Sequence, residues 1–274
     1  KHGFIAKKLL EREKYIVTTS SSKNDKDLYL DLNKPYEFDY TILNKKSKII
    51  LLAAISSPDE CNNNYEIAYK INVIGTITFI KAAIKRGAKV LFFSSDVIYG
   101  NTINKVNEDF KTNPFGNYAK MKDEVEKTFE KEKNFKVFRL SYVLADKDKY
   151  LSYLQNCIKN DEVAEIFHPF TRKVIYINDV LEAIENILIR WNEFNNQKFN
   201  ICGEDNISRK DIADYYNKEI GNILDYLTIQ PDDMFWKARP KDINIESLYL
   251  EILLNHKPIQ IKKAINQIVK GEMK

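Results

Sequence analysis

The stretch NVIGTITFIKAAIKRGAKVLFFSSDVIYG, residues 72–100, joins a helical pattern to a strand and decides the fold class. Within it, the apolar run KVLFFSS (89–95) has the length of a buried strand. Similar apolar runs lie on either side, KIILLAAIS (48–56) and KVFRLSYV (136–143), and a helical pattern spans Tyr118 to Lys131. Apolar strands that alternate with helices predict an α/β fold, here a Rossmann-like, doubly wound parallel sheet.

The rest of the chain indicates a smaller C-terminal lobe. Residues 1–165 are expected to form the sheet domain, and residues 166–274 mainly a substrate-binding lobe, with 172–203 returning to the sheet. The chain opens on an amphipathic pattern, KHGFIAKKLL (1–10), with neither an initiator Met nor a preceding strand. We therefore expect the full protein to contain residues upstream of Lys1.

The composition is that of an ordinary globular protein, since 44% of the 274 residues are hydrophobic and 30% are charged. The formal net charge of +4 is spread along the chain without a Lys/Arg block, so we expect no nucleic-acid partner. The odd number of widely spaced cysteines, Cys61, Cys157 and Cys202, argues against a disulfide framework and a metal site and favours a reducing cytoplasm. Because no apolar run reaches transmembrane length, we expect no membrane partner.

A phenol and an ammonium lie four residues apart where the helix after KVLFFSS begins, as Tyr118 and Lys122. That spacing also arises by chance in a chain with 16 Tyr, and an exposed pair of this kind contributes only about 0.2–0.5 kcal/mol. The strand, however, brings Ser95 to the same edge of the sheet, where ligands bind in such folds. We predict that Tyr118 exchanges a proton with a substrate oxygen, that Ser95 holds this oxygen, and that Lys122 lowers the pKa of the phenol and anchors a ribose.

With these residues in place, the whole chain resembles the extended short-chain dehydrogenase/reductase family of NAD(P)-dependent nucleotide-sugar epimerases, dehydratases and ketoreductases. Residues 72–100 and YAKMK (118–122) carry the resemblance most specifically, together with TRKVIYINDV (171–180) and ARPKD (238–242). The resemblance implies a dinucleotide-binding sheet domain and a catalytic set of Ser95, Tyr118 and Lys122.

The resemblance also implies where the dinucleotide binds. GFIAKKLL (3–10) looks like the end of the family's glycine-rich fingerprint, LDL (30–32) like its adenine-contacting segment, and LLAAISSP (51–58) like the segment after its fourth strand. The implied cofactor contacts, besides Tyr118 and Lys122, are Gly3, Phe4, Ile5, Asp31, Leu32, Ala53, Ala54 and Asn72.

The choice between NAD and NADP depends on the residues that follow the strand in KYIVTTSSS (14–22). An acidic residue there would bind the ribose 2′-hydroxyl and repel a 2′-phosphate. The chain has no acid before Asp25, so NADP is favoured, with Ser20, Ser21 or Lys23 as the phosphate contacts. NAD is the alternative.

The expected substrate is a nucleotide-diphosphate sugar. The resemblance assigns Arg172 and Arg239 to the diphosphate, and a guanidinium offers a fork of donors that suits phosphate oxygens. Asp96 and Tyr142 are the other expected substrate contacts. Because Asp96 is followed by Val97, where the family's 4,6-dehydratases have Glu, dehydration is disfavoured, and 4-ketoreduction and C4 epimerisation both stay open.

Two other functions compete with this prediction. A non-catalytic, dinucleotide-binding regulatory subunit would use the same fold, but it would be free to lose Ser95, Tyr118 and Lys122. A simple carbonyl reductase is disfavoured by Arg172 and Arg239. Relatives often dimerise through helices equivalent to those at Tyr65 and Tyr118, so a homodimer is expected by analogy.

Overall fold

The computed structural model describes residues 3–12, 18–22 and 27–272, which divide into two compact units. The first unit is Lys1–Ile98, Thr112–Arg139 and Leu188–Phe199, and the second is Tyr99–Lys111, Leu140–Ile187 and Asn200–Lys274. This division differs from the expected split at residue 165 because the chain passes between the units several times. Residues 99–111 and 140–165 belong to the second unit. Residues 188–199 belong to the first unit and lie within the range 172–203 that was expected to return to the sheet.

The strands are short and are numbered along the chain. They are β1 (Thr19–Ser20), β2 (Leu28–Tyr29), β3 (Lys48–Leu51), β4 (Lys89–Ser95), β5 (Phe135–Leu140), β6 (Val143–Leu144), β7 (Ala164–Phe167), β8 (Thr171–Lys173), β9 (Ile175–Tyr176), β10 (Lys198–Ile201), β11 (Asn206–Ser208) and β12 (Tyr226–Ile229).

The α-helices follow the same numbering. They are α1 (Phe4–Leu10), α2 (Pro58–Asn63), α3 (Tyr65–Tyr69), α4 (Thr76–Lys85), α5 (Asn117–Thr128), α6 (Lys149–Asn160), α7 (Ile177–Ile189), α8 (Arg209–Glu219), α9 (Asp233–Lys237), α10 (Leu250–Leu254) and α11 (Ile261–Glu272).

The largest sheet has the strand order β10-β5-β4-β3. Strands β3 and β4 are parallel, with Leu51 opposite Phe92, and β1 and β2 form a separate parallel pair. Strand β4 is buried on both faces over Val90–Phe93, as its continuous apolar run predicts. The expected α/β class with a parallel sheet is therefore confirmed.

One face of this sheet packs against α4 and α5. Val90 and Phe92 of β4 share a core with Phe79 and Ile80 of α4 and with Val125 of α5, all almost fully buried. Because this apolar face of α5 lies against the sheet, the first turn of α5 comes close to the carboxyl end of β4. The packing thus positions the residues that the sequence singles out.

The helical run Tyr65–Lys85 contains α3, a π-helical turn at Lys70–Gly75 and α4. Gly75 lies so close to the segment after β2 that a Cβ atom there would be 1.8 Å from the Leu32 carbonyl oxygen. In the described residues, this run is the one helix whose length and composition would allow it to cross a membrane, and 44% of its most apolar window is buried within the protein. A core helix passes the same test.

Candidate active site

Helix α5 begins where Gly116 has a backbone φ of +81°, a conformation that favours glycine. The helix starts one residue later, so Tyr118 and Lys122 fall one turn apart on the same face. The Lys122 ammonium lies 5.7 Å from the centre of the Tyr118 ring and 4.6 Å from the centre of the Phe92 ring. The structure therefore brings the phenol and the ammonium together beside β4.

Lys122 is a buried cation, with 4% of its surface exposed. Its ammonium donates to the Phe93 carbonyl oxygen at 2.7 Å, which is its one hydrogen-bond acceptor among the described residues. Burial lowers the pKa of Lys122 to about 8, while the nearby Glu126 and Cys61 act in the opposite direction. An ammonium has three N–H donors, so two of them are left for a ligand.

Tyr118 is half-buried and packs against Cys61 and Met121. Its hydroxyl has no hydrogen-bond partner in the part of the chain that the structure describes. Burial raises the pKa of Tyr118, and Cys61 and Asp96 raise it further. The sequence predicts the opposite direction, because it assigns to Lys122 a lowering of this pKa. Burial is the larger effect on the pKa of Tyr118, so the phenol is protonated at neutral pH.

Ser95 ends β4, and its hydroxyl donates to the carboxylate of Asp96 at 3.1 Å. Asp96 is 4% exposed and begins a 3₁₀ turn, Asp96–Tyr99. The Asp96 carboxylate is close enough to Tyr118 to raise its pKa. The pair of Ser95 and Asp96 and the pair of Tyr118 and Lys122 thus share one region of the first unit.

Two polar side chains in this region, Ser94 and Lys122, have hydrogen-bonding groups that the described residues leave unused. The hydroxyl of Ser94 is buried and has no hydrogen-bond partner among the described residues, and leaving such a group unpaired costs about 1–3 kcal/mol. The protein encloses this hydroxyl, so a ligand does not reach it. The Lys122 ammonium retains two donors. Ribose hydroxyls would accept from them, so Lys122 suits the implied cofactor.

The expected cofactor contacts near β1 and β2 have varied surroundings. Ser20 is buried and accepts the Ser22 amide, whereas Ser21 is exposed. The Asp31 carboxylate accepts the Asn33 amide in a tight turn, and Leu32 packs into the core of the first unit. Lys23 lies outside the described residues.

The other expected cofactor contacts lie at three places. Gly3 precedes α1, whose first residues are Phe4 and Ile5. Ala53 and Ala54 follow the carboxyl end of β3. Asn72 is 2% exposed, and its amide bonds both the N–H and the carbonyl of Ile55, at 2.8 and 2.9 Å. Asn72 therefore holds the loop that carries the two alanines.

The expected substrate contacts of the second unit are already engaged with protein groups. Arg172 is 8% exposed and donates to the carbonyl oxygens of Thr171, Pro240 and Lys241 at 2.7–3.0 Å. Arg239 donates to the carbonyl of Phe235 and lies over its ring.

Tyr142 is hydrogen-bonded to Asp148, a buried carboxylate that the sequence did not single out. Its hydroxyl donates to Asp148 at 3.0 Å. Burial raises the pKa of Tyr142, and Asp148 raises it further. Asp148 also caps α6 by accepting the amides of Tyr150 and Leu151, so the acid has a structural use of its own.

Two further residues also escaped the sequence prediction. Ser94 is the first residue of the Ser-Ser pair, and its isolation could not be read from the chain. Arg209 directly follows Ser208, the N-cap residue of α8. In the sequence, this neighbouring cap is the feature that indicates a fixed position for Arg209. Among the described residues, no group of three or more His, Cys, Asp or Glu side chains has the arrangement of a metal site.

This fold and this arrangement of Ser, Tyr and Lys define a Rossmann-type protein of the extended short-chain dehydrogenase/reductase group. The chain belongs to the RmlD substrate binding domain family, whose model matches residues 4–271. Among curated proteins, no sequence matches it.

Solved structures with the same fold are enzymes. A dTDP-4-dehydrorhamnose reductase from Clostridium acetobutylicum is 19% identical, with a TM-score of 0.81 over 100% of this chain and 97% of that one. An L-threonine 3-dehydrogenase from Trypanosoma brucei is 14% identical, with a TM-score of 0.82 over 98% and 94%. A UDP-glucuronic acid 4-epimerase from Bacillus cereus, in complex with UDP-glucuronic acid and NAD, is 18% identical, with a TM-score of 0.76 over 98% and 95%.

Proposed function

We propose that this protein is an NAD(P)-dependent oxidoreductase that acts on a nucleotide-diphosphate sugar, as a 4-ketoreductase or as an epimerase. The observation that carries the proposal is the buried Lys122 ammonium beside the Tyr118 phenol, close to Ser95 at the end of β4. Tyr118 and Lys122 both have hydrogen-bonding capacity that the protein itself does not use. These donors are therefore available to a ligand that displaces water from them.

The roles of the residues follow from their chemistry. The dinucleotide, when bound, donates or accepts the hydride at a sugar carbon. Tyr118 gives a proton to the sugar oxygen in the direction of reduction, or removes it in the direction of oxidation. Ser95 donates a hydrogen bond to the same sugar oxygen, and this bond replaces the one that its hydroxyl donates to Asp96. Lys122 binds ribose hydroxyls and favours the phenolate by its positive charge.

The phenol of Tyr118 can serve both candidate reactions. It donates its proton to a ketone during reduction, and by the reverse step it takes a proton from an alcohol during oxidation, so Tyr118 fits a 4-ketoreductase and an epimerase alike. The resemblance in fold to a dTDP-4-dehydrorhamnose reductase supports 4-ketoreduction as the first candidate. The 4-epimerase of similar fold, which was solved with UDP-glucuronic acid and NAD, supports epimerisation as the second candidate.

Substrate and cofactor contacts complete the proposal. Arg172 and Arg239 are the proposed diphosphate contacts, and Asp96 and Tyr142 the proposed sugar contacts. NADP is the proposed cofactor, because β1 ends at Ser20 and is followed by Ser21 and Ser22, with no acidic residue there to repel a 2′-phosphate.

The test is a panel of 4-keto and 4-hydroxy nucleotide sugars, each incubated with NADH, NADPH, NAD or NADP. Net oxidation of the reduced cofactor, with a reduced sugar as product, is the expected result. Exchange between sugar isomers without net change in the cofactor would identify the epimerase. Binding of dinucleotide without turnover of any sugar would favour the regulatory subunit, and a preference for NADH over NADPH would reverse the cofactor assignment.

We also propose a homodimer through the helices at Tyr65 and Tyr118, by analogy with relatives. Tyr65, Ile67 and Ile74 of the run Tyr65–Lys85 are 42–56% exposed, and a partner subunit would cover them. Light scattering should give twice the mass of the chain, and a monomer at all concentrations would exclude this interface.

A further inference from the structure

In the second unit, several arginine side chains lie over a cluster of aromatic rings. Phe167, Phe170, Phe235 and Trp236 form the cluster, with neighbouring ring centres 4.8–5.7 Å apart. Guanidinium groups lie over these rings: Arg172 over Phe170, Arg239 over Phe235, and Arg209 over both Phe167 and Phe170. The cluster therefore concentrates positive charge on a partly exposed apolar surface.

The backbone of Arg209 is fixed on three sides. Strand β11 pairs antiparallel with β8, with Ser208 opposite Thr171, and the Arg209 amide continues the ladder to the Phe170 carbonyl. Ser208 then caps α8 in a reciprocal capping box with Asp211. The Tyr150 hydroxyl donates to the Arg209 carbonyl at 2.8 Å. Arg209 is thus held at the junction of a strand and a helix, as preorganised binding requires.

The guanidinium of Arg209 is enclosed by rings but not neutralised. It lies 5.1–5.8 Å from the ring centres of Tyr150, Phe167 and Phe170. Within the described ranges of the chain it has neither a carboxylate nor a carbonyl acceptor. Its residue is half-buried, so part of its hydration is lost without a counter-charge in return. An anion from outside the protein would supply that counter-charge.

Arg172 differs from Arg209 in this respect. Three backbone carbonyls already accept hydrogen bonds from its guanidinium, and its side chain is buried. Those bonds join β8 to the segment at residues 240–241 and serve the fold. The guanidinium of Arg209 can therefore donate to two phosphate oxygens more readily than the guanidinium of Arg172.

We propose that Arg209 binds a phosphate of the nucleoside diphosphate, with Phe167 and Phe170 holding its guanidinium in place. The inference rests on the proposed function and deepens it, because it assigns to the diphosphate a residue that the sequence motifs do not mark. The positive charge of Arg209 also acts on the hydroxyls of Tyr142 and Tyr150, since it opposes the rise in the pKa of both. Arg209 would act beside the two proposed diphosphate contacts, Arg172 and Arg239, and Arg172 also holds residues 240–241 in place.

The test compares Arg209→Gln with Lys210→Gln by calorimetric titration. Lys210 is the matched control, because it is the next residue of α8 and its charge is already paired with Asp214 at 2.6 Å. The titrants are UDP, dTDP, GDP, ADP and CDP, each beside its nucleoside, and NADP. Arg209→Gln should weaken the best-bound nucleoside diphosphate about 10- to 100-fold and leave the nucleoside and NADP unchanged. Lys210→Gln should bind as the wild type does.

Two outcomes would overturn the proposal, and they are distinguishable. If the wild type binds a nucleoside diphosphate and Arg209→Gln binds it equally well, the assignment of Arg209 is wrong while the proposed function stands. If the wild type binds no nucleoside diphosphate, both fail together. Arg209→Lys keeps the positive charge but loses the planar fork, so we expect an affinity between those of the wild type and Arg209→Gln. If Arg209→Gln does not fold, Arg209→Lys takes its place, and circular dichroism shows whether Arg209→Lys is folded.

Discussion

Lys122 is 4% exposed and has one hydrogen-bond acceptor among the described residues, so its burial destabilises the folded state. Its charge loses hydration, and the single bond to the Phe93 carbonyl does not replace it. The same burial lowers the pKa of Lys122 to about 8. Tyr118, whose hydroxyl the protein leaves unbonded, is a second residue that serves a ligand better than it serves folding.

Lys122→Met should therefore make the protein more stable at pH 7, on the order of 2 kcal/mol. In the folded state the pKa of Lys122 is about 8, below its ordinary value, so the unfolded chain binds more protons between about pH 8 and 10.5. The stability that Lys122 costs is thus recovered as pH rises through that window. Urea unfolding at pH 7 and pH 10 measures the free energy of unfolding of the wild type and of Lys122→Met. The difference between the two should be smaller at pH 10 than at pH 7.

Lys120→Met is the matched control, because Lys120 lies on the exposed face of the same helix. It should change stability little at either pH. A stabilisation by Lys122→Met that does not vary with pH would show that packing, and not the buried charge, is responsible.

At the scale of elements, close approach of backbone segments decides where the site lies. The π-helical turn before α4 comes so near to Leu32 that only a glycine fits at position 75. The sequence predicted the helix and singled out the segment LDL (30–32), but it did not indicate that they touch. Contacts between segments 43 residues apart depend on the packing of the whole sheet, which a local pattern does not contain.

Gly75→Ala should destabilise the protein by about 2–3 kcal/mol, because the new Cβ would meet a backbone oxygen that cannot move aside. Since the displaced segment contains Asp31 and Leu32, dinucleotide affinity should fall as well. Thermal and urea unfolding measure the first effect, and calorimetry the second. Gly271→Ala is the control: a Cβ there meets nothing within 4 Å, so stability should stay the same or rise by up to about 1 kcal/mol. Equal effects of the two substitutions would contradict the close approach.

At the scale of the whole molecule, the sequence predicts the class of fold, the strand β4 and the start of α5 well. These features depend on apolar runs and on helix starts, which are local patterns. The return of the chain to the first unit was expected over residues 172–203, and residues 188–199 do belong to that unit. The bounds of the two units were not predictable in the same way, because they depend on tertiary packing. The direction of the Tyr118 pKa was also missed, since burial is a property of the folded chain and not of a motif.

The most direct test of the account is the turnover of Tyr118→Phe on the nucleotide sugar that the wild type converts, with dinucleotide affinity measured on the same preparation. The variant removes one hydroxyl and leaves the ring packed against Cys61 and Met121. Loss of the proton relay should lower turnover about 10²- to 10⁴-fold while the affinity for the dinucleotide stays the same. Turnover equal to that of the wild type would contradict the role of Tyr118, and with it the catalytic site described for the first unit.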